Sequence, residues 1–200
     1  MLYLNVLMKT INSYGIFGFA IIFINIMKTK LFYSNSRLIR FPIHVRGKKR
    51  IIFGRRFTAG IHNRIEVLSR NGNIIIGENV QINDFNHIAA IESIVIGKNT
   101  LIASKVFITD HNHGTYSGPF QSDPDTIPAD RPLTSAPVII GCNVWIGENV
   151  VILPGCIIGD GSIIGAGSVV NGIIPKNSIA VGSPAIVKKT YDRTERSWLK

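Results

Sequence analysis

An all-β solenoid is the fold class this sequence predicts, and three observations carry it. An aliphatic residue recurs every six positions from residue 140 onward, at Ile140, Ile146, Ile152, Ile158, Ile164 and Val170. Four residues after each comes a mostly small one: Val144, Val150, Cys156, Ser162 and Ser168. Glycine follows the aliphatic at Gly141, Gly147, Gly159 and Gly165. A six-residue period matches neither an amphipathic helix nor an alternating strand. It fits a prism in which each hexapeptide forms one flat side and three sides complete a coil. The aliphatic then fills the interior, the small residue fits near the corner, and Gly or Asn permits the turn.

An earlier block repeats the pattern at Ile76-Gly77, Ile82-Asn83 and Ile88-Ala89. It resumes after a two-residue slip at Ile96-Gly97, Ile102-Ala103 and Ile108-Thr109. The prism is predicted over residues 41–190, preceded by an apolar and basic helical element at 1–40 and followed by a tail at 191–200. The hydrophobic share of 46% against 17% charged excludes a disordered chain. Cys142 and Cys156 lie in apolar repeat sequence without a CxxC spacing, which reads as two small reduced side chains.

Charge is unevenly placed. Residues 1–70 hold thirteen of the 22 Lys and Arg against one acid, Glu66, while the remaining residues carry a net −2. Such a basic end points to an anionic surface as partner. Its apolar neighbour favours lipid over nucleic acid: Thr10 to Met27 carries no charge, with Lys9 before it and Lys28, Lys30, Arg37 and Arg40 after it. A transmembrane helix needs about 20 mostly apolar residues, and this stretch is short and includes Asn12, Ser13 and Asn25. A cleaved signal would need a small-residue cleavage site, and none follows. An interfacial or partner-packed helix accommodates both the polar residues and the basic flank.

Residues 114–137 break the period and hold five of the nine prolines. A structureless loop of this length inside a domain is usually functional, and it directly follows the run Thr109-Asp110-His111-Asn112-His113-Gly114.

These segments resemble the hexapeptide-repeat acetyltransferases of the galactoside, maltose and xenobiotic type, and most of all the O-antigen O-acetyltransferases of enteric lipopolysaccharide. The resemblance spans residues 70–190 and rests on Ile82-Asn83-Asp84, the Asp110-to-Gly114 run, Val144-Trp145-Ile146-Gly147, Ile152-Leu153-Pro154-Gly155 and Ile164-Gly165-Ala166-Gly167-Ser168. It implies a left-handed winding, acetyl-CoA as co-substrate with no metal, a sugar or lipid-linked oligosaccharide acceptor, a homotrimer, and work in the cytosol at the inner face of the cytoplasmic membrane.

The same resemblance makes His111 the general base, with His113 the rival two residues on. A sugar hydroxyl is a poor nucleophile, and a neutral imidazole suits the removal of its proton. Asn83, Asp84, Asn86, His113 and Trp145 are the implied acceptor contacts, although an Asn at a solenoid corner also serves left-handed backbone. Gly147 and Ala166 would face the pantetheine, with Lys188 and Lys189 near the adenosine phosphates. The galactoside enzymes carry Thr-Lys where this chain has Asn171-Gly172, and Arg where it has Ile186. Two alternatives share the prism: a γ-type carbonic anhydrase using His87, His111 and His113 for zinc, and a non-enzymatic binding protein.

Overall fold

Three stacks of parallel strands form the walls of the prism, and the chain visits them in strict rotation. The computed structural model describes residues 2–200, with side chains from residue 12 onward. Side A holds Leu38–Ile39, Thr58–Ala59, Gln81–Ile82, Leu101–Ile102, Trp145–Ile146, Ile163–Ile164 and Ser178–Val181. Side B holds Ile43–Arg46, Asn63–Val67, His87–Ala90, Phe107–Thr109, Val151–Ile152 and Val169–Val170. Side C holds Ile51–Phe53, Asn73–Ile76, Ser93–Ile96, Val138–Ile140, Ile157–Ile158 and Ile173–Ile174. One pass through A, B and C is one coil, so six coils are complete and Ser178–Val181 begins a seventh. The first coil starts at Leu38, before the point where the six-residue period becomes visible.

Every periodic aliphatic points inward. Ile76, Ile82, Ile88, Ile96, Ile102, Ile108, Ile140, Ile146, Ile152, Ile158, Ile164 and Val170 are buried, as are the small-position residues Val144, Val150, Cys156, Ser162 and Ser168. Strict register stacks like upon like: Ile102 lies between Ile82 and Ile146, and Ile108 between Ile88 and Ile152. Both cysteines are free, and burial pushes the Cys156 thiol up.

The corner between sides C and A shows why glycine and asparagine recur. A Cβ on Gly97 would lie 2.5 Å from the Gly141 carbonyl carbon, so the coils can approach there only without a side chain. Two residues on, Asn79, Asn99 and Asn143 have φ of 57°, 59° and 57°. Their amides form a ladder, with Asn79 Nδ2 donating to Asn99 Oδ1 at 3.0 Å and Asn99 Nδ2 to Asn143 Oδ1 at 3.1 Å. Asparagine tolerates the left-handed turn and joins the coils as well.

The segment from Gly114 to Pro137 is not structureless. His111–His113 pairs antiparallel with Leu133–Ser135, and a 3-10 turn forms at Pro128–Asp130. Arg131 ties the interior together through Tyr116 Oη and the carbonyls of Pro124 and Thr126. The chain departs and returns at one point, where Ala136 N–H donates to the Asp110 carbonyl at 2.9 Å.

Both ends are covered. A helix, Leu2–Phe32, is interrupted at Gly15 (φ 70°) and seats beside the first coil. It lies polar side inward. Thr29 Oγ1 accepts from Ile39 N–H at 2.9 Å, and Asn25 Oδ1 accepts from Phe41 N–H at 3.2 Å. Ile16, Phe17, Ile21, Phe23, Ile24, Met27 and Leu31 stand exposed instead. Asn12–Phe32 is long and apolar enough to cross a membrane. At the other end Ile186–Asp192 and Ser197–Leu199 extend side A as antiparallel strands, so residues 191–200 belong to a hairpin, with Tyr191 edge-on to Trp198.

Candidate active site

The candidate site is built where side B ends in the fourth coil. Phe107–Thr109 runs along side B, and Asp110 turns the corner with its carboxylate inside. That carboxylate is 0% exposed, and the backbone N–H groups of Ile91, Glu92 and Ser93 in the coil below all donate to it at 2.8–2.9 Å. Three fixed donors make a site for a carboxylate and hold it in one orientation. Its Oδ1 stands 2.9 Å from His111 Nδ1.

This pairing sets the imidazole. A carboxylate can only accept, so Nδ1 is the donor in this pair and the Nε2 lone pair is left free. His111 is 12% exposed, so the ring is walled in yet reachable. Thr109 Oγ1 also lies 3.2 Å from Nδ1 and 3.3 Å from the His111 N–H, which braces the ring's base. His113 is exposed and has no such carboxylate. Asp110 is the middle residue of Thr-Asp-His, but nothing in the spacing marks it as the group that orients the His111 ring.

The other expected site residues lie elsewhere, and several are already occupied. Asn86 is buried: its Nδ2 donates to Asn63 Oδ1 and the Asn83 carbonyl, and its Oδ1 accepts from Val106 N–H at 2.8 Å. Its side-chain amide is thus bonded inside the corner, which gives it a structural part there. Asp84 is held by Arg40 and by Ile61 N–H at 2.8 Å. Asn83 is exposed at the A–B corner and lines a cavity of about 390 Å³ under the helix, with Tyr14, Ile22, Arg40 and Gln81. His111 stands at the B–C corner, a full side away.

Trp145 projects from side A between Leu101 and Ile163, again on a different wall. Gly147 is buried beneath the next coil, where a Cβ would meet Ala166 N at 2.6 Å. Coil packing therefore explains that glycine. Ala166 is exposed at the same corner, and Lys188 and Lys189 are exposed on Ile186–Asp192.

A second polar cluster, unmarked in the sequence, lies lower on side B. The Glu66 carboxylate is 2% exposed and meets Arg64, His87 at 3.2 Å and His44 at 3.7 Å. Burial alone would raise its pKa, but the hydrogen bonds and charge of Arg64 and His87 outweigh it and hold the carboxyl below its ordinary value. Among the described residues no group of three or more His, Cys, Asp or Glu side chains is placed to hold a metal.

The comparisons with known proteins bear on the family. Residues 137–172 match the family described as bacterial transferase hexapeptide (six repeats). The protein assigned as the lipopolysaccharide biosynthesis O-acetyl transferase WbbJ of Escherichia coli K12 is 47% identical over 97% of this chain and 99% of its own length. This chain belongs to the hexapeptide-repeat acetyltransferases. The γ-carbonic-anhydrase and non-enzymatic alternatives fall with that assignment. A solved galactoside acetyltransferase in complex with coenzyme A is 32% identical to this acetyltransferase, covering 72% of this chain and 71% of that one with a TM-score of 0.50. AntD, an N-acyltransferase from Bacillus cereus, shares the left-handed prism at a TM-score of 0.66 and 20% identity, over 84% of this chain and 90% of that one.

Proposed function

We propose that this acetyltransferase moves the acetyl group of acetyl-CoA to a sugar hydroxyl in lipopolysaccharide O-antigen synthesis, with His111 as general base. The Asp110–His111 pair is the observation that carries the reading. Nε2 takes the hydroxyl proton as the sugar oxygen attacks the thioester carbonyl. The new C–O bond forms, the C–S bond breaks, and the imidazolium returns its proton to the departing thiolate. Asp110 holds Nδ1–H throughout and stabilises the cation while it lasts.

The working unit is a homotrimer in this proposal. Ala166 and the strand bearing Lys188 and Lys189 lie on the A–B corner and side A, whereas His111 lies at the B–C corner. One chain cannot bring the two surfaces together, and a neighbour set side by side can. Asn83 and Trp145 then reach an acceptor only across that contact. Subunit mixing tests function and assembly together, with labelled acetyl-CoA as donor and lipid-linked repeat units as acceptor. His111→Ala and Ala166→Arg should each be inactive alone and should regain activity when coexpressed, because mixed trimers hold some intact interfaces. No recovery, or a fully active monomer by light scattering, excludes the shared site.

The helix is proposed to lie on the cytosolic face of the membrane where lipid-linked precursors are made. Its exposed apolar side chains gain about 25 cal/mol per Å² buried. Basic residues such as Lys28 and Lys30 each add around 1 kcal/mol near anionic lipid. Full-length protein should float with anionic liposomes, detach at high salt, and fail to bind once residues 1–40 are removed. Unchanged flotation after truncation would assign the helix to protein packing alone.

A further inference from the structure

A left-handed turn recurs at the A–B corner from the second coil to the sixth, at His62, Phe85, Lys105, Asn149 and Gly167, with φ of 56°, 61°, 59°, 57° and 70°. Asparagine and glycine take such a turn readily, whereas a bulky apolar residue takes it against its steric preference. Among the described residues every other non-glycine side chain at positive φ is polar or charged. Phe85 is the exception. It is also 53% exposed, so core packing does not account for it. Backbone strain of this kind persists where its surroundings enforce it, and it gathers at ligand sites.

The surroundings do enforce it. Phe85 N–H donates to the Ile61 carbonyl and Lys105 N–H to the Asp84 carbonyl, each at 3.0 Å. The Asp84 carboxylate, bonded to Arg40 and to Ile61 N–H, fixes the same turn from its other side. The Phe85 ring lies parallel to that of His62 one coil below, with centroids 5.1 Å apart and planes 9° apart. One coil above, Lys105 is drawn up to Glu148 at 3.5 Å. The corner thus holds a braced two-ring aromatic step, open to solvent beside the exposed Asn83.

We propose that Phe85, backed by His62, is the platform on which the acceptor's pyranose ring stacks, and so a specificity-determining residue for the acetyl transfer. The inference rests on the shared site with His111 as base. A pyranose carries C–H groups on its faces and hydroxyls around its rim, so an aromatic face can hold it flat and leave the hydroxyls free to react. Height along the prism selects this sugar over the adenine of the donor. Neighbours related by an axis along the prism stay level, so His111, in the fourth coil, meets the fourth-coil turn of the next subunit. Ala166 and the strand bearing Lys188 and Lys189 lie above that level. Phe85 lies one coil below it, about 4.8 Å away and on the side opposite the donor.

Phe85→Asn tests the platform, because asparagine suits the left-handed turn and has no ring. The variant should melt no lower than wild type, while KM for lipid-linked repeat units rises about tenfold, the size of one lost aromatic contact. KM for acetyl-CoA should not move. Phe85→Tyr keeps the ring and should keep the wild-type acceptor KM. An unchanged acceptor KM in Phe85→Asn overturns the platform and leaves the assignment of His111 standing. Equal loss in Phe85→Asn and Phe85→Tyr also overturns it, because the ring would then not be what matters. So does a fall to monomer mass by light scattering in Phe85→Asn, which would give the ring to the subunit contact. Absence of acetyl transfer by the wild-type enzyme overturns the assigned activity together with the platform.

Discussion

Replacing His111 with alanine will lower kcat by about 10²–10⁴-fold, the range typical for loss of a positioned general base. KM for acetyl-CoA will change little, because the base acts on the acceptor proton and its contribution is made in the transition state. The structure sharpens the choice between the two histidines: His111 Nδ1 is 2.9 Å from a buried carboxylate and His113 has no such partner. Alanine at His113 should therefore cost less than tenfold by the same kind of measurement. Retained turnover in His111→Ala, with loss in His113→Ala, would reverse the assignment.

The second large effect is expected at Asp110, and it splits into two measurable parts. Asp110→Asn can keep its oxygen toward the N–H groups of Glu92 and Ser93, but its amide nitrogen then faces His111 Nδ1. That nitrogen donates where the carboxylate accepted, so the ring proton moves to Nε2 and the base is lost. Activity should fall by at least about 10²-fold with the fold intact, as expected for a base held in the wrong tautomer. Asp110→Ala removes the orienting group and also leaves three part-buried N–H groups without their acceptor. Each unmet buried donor costs about 1–3 kcal/mol, so this variant should lose several degrees of melting temperature as well as activity. Thermal unfolding of both variants beside their kinetics separates the two roles. An Asp110→Asn enzyme with a tenth or more of normal turnover would show that the carboxylate does not set the tautomer.

The prism was legible in the sequence because its interior is periodic. Each wall contributes one inward aliphatic at a fixed place, and Ile140 through Val170 show this without interruption. The first two coils are harder to read. Their walls include longer strands such as Ile43–Arg46 and Asn63–Val67, which stretch the spacing beyond six. The site was legible only in part, because outward and corner residues have no period of their own. Asn86 and a sugar-binding asparagine look alike in sequence, and only the bonds to Asn63, Asn83 and Val106 show that this one is consumed by the corner. Gly147 raises the same ambiguity, since a glycine that lets a ligand approach and one that lets a coil approach are the same letter. The Glu66 cluster gave no signal because its members, His44, Arg64, Glu66 and His87, come from three different coils.

The single hydrogen bond between Ala136 and Asp110 has a consequence for how this enzyme can change. To the stack of coils, everything between those two residues amounts to one closed corner, and the core is the same whatever the excursion contains. Lengthening such an excursion costs little, since doubling a loop adds only about 0.6 kcal/mol of closure entropy. The hairpin beyond His111 can therefore be rewritten residue by residue while the coils above and below keep their register. The excursion and the core that sets thermal robustness are thus separate stretches of one chain, and the first can drift while the second holds.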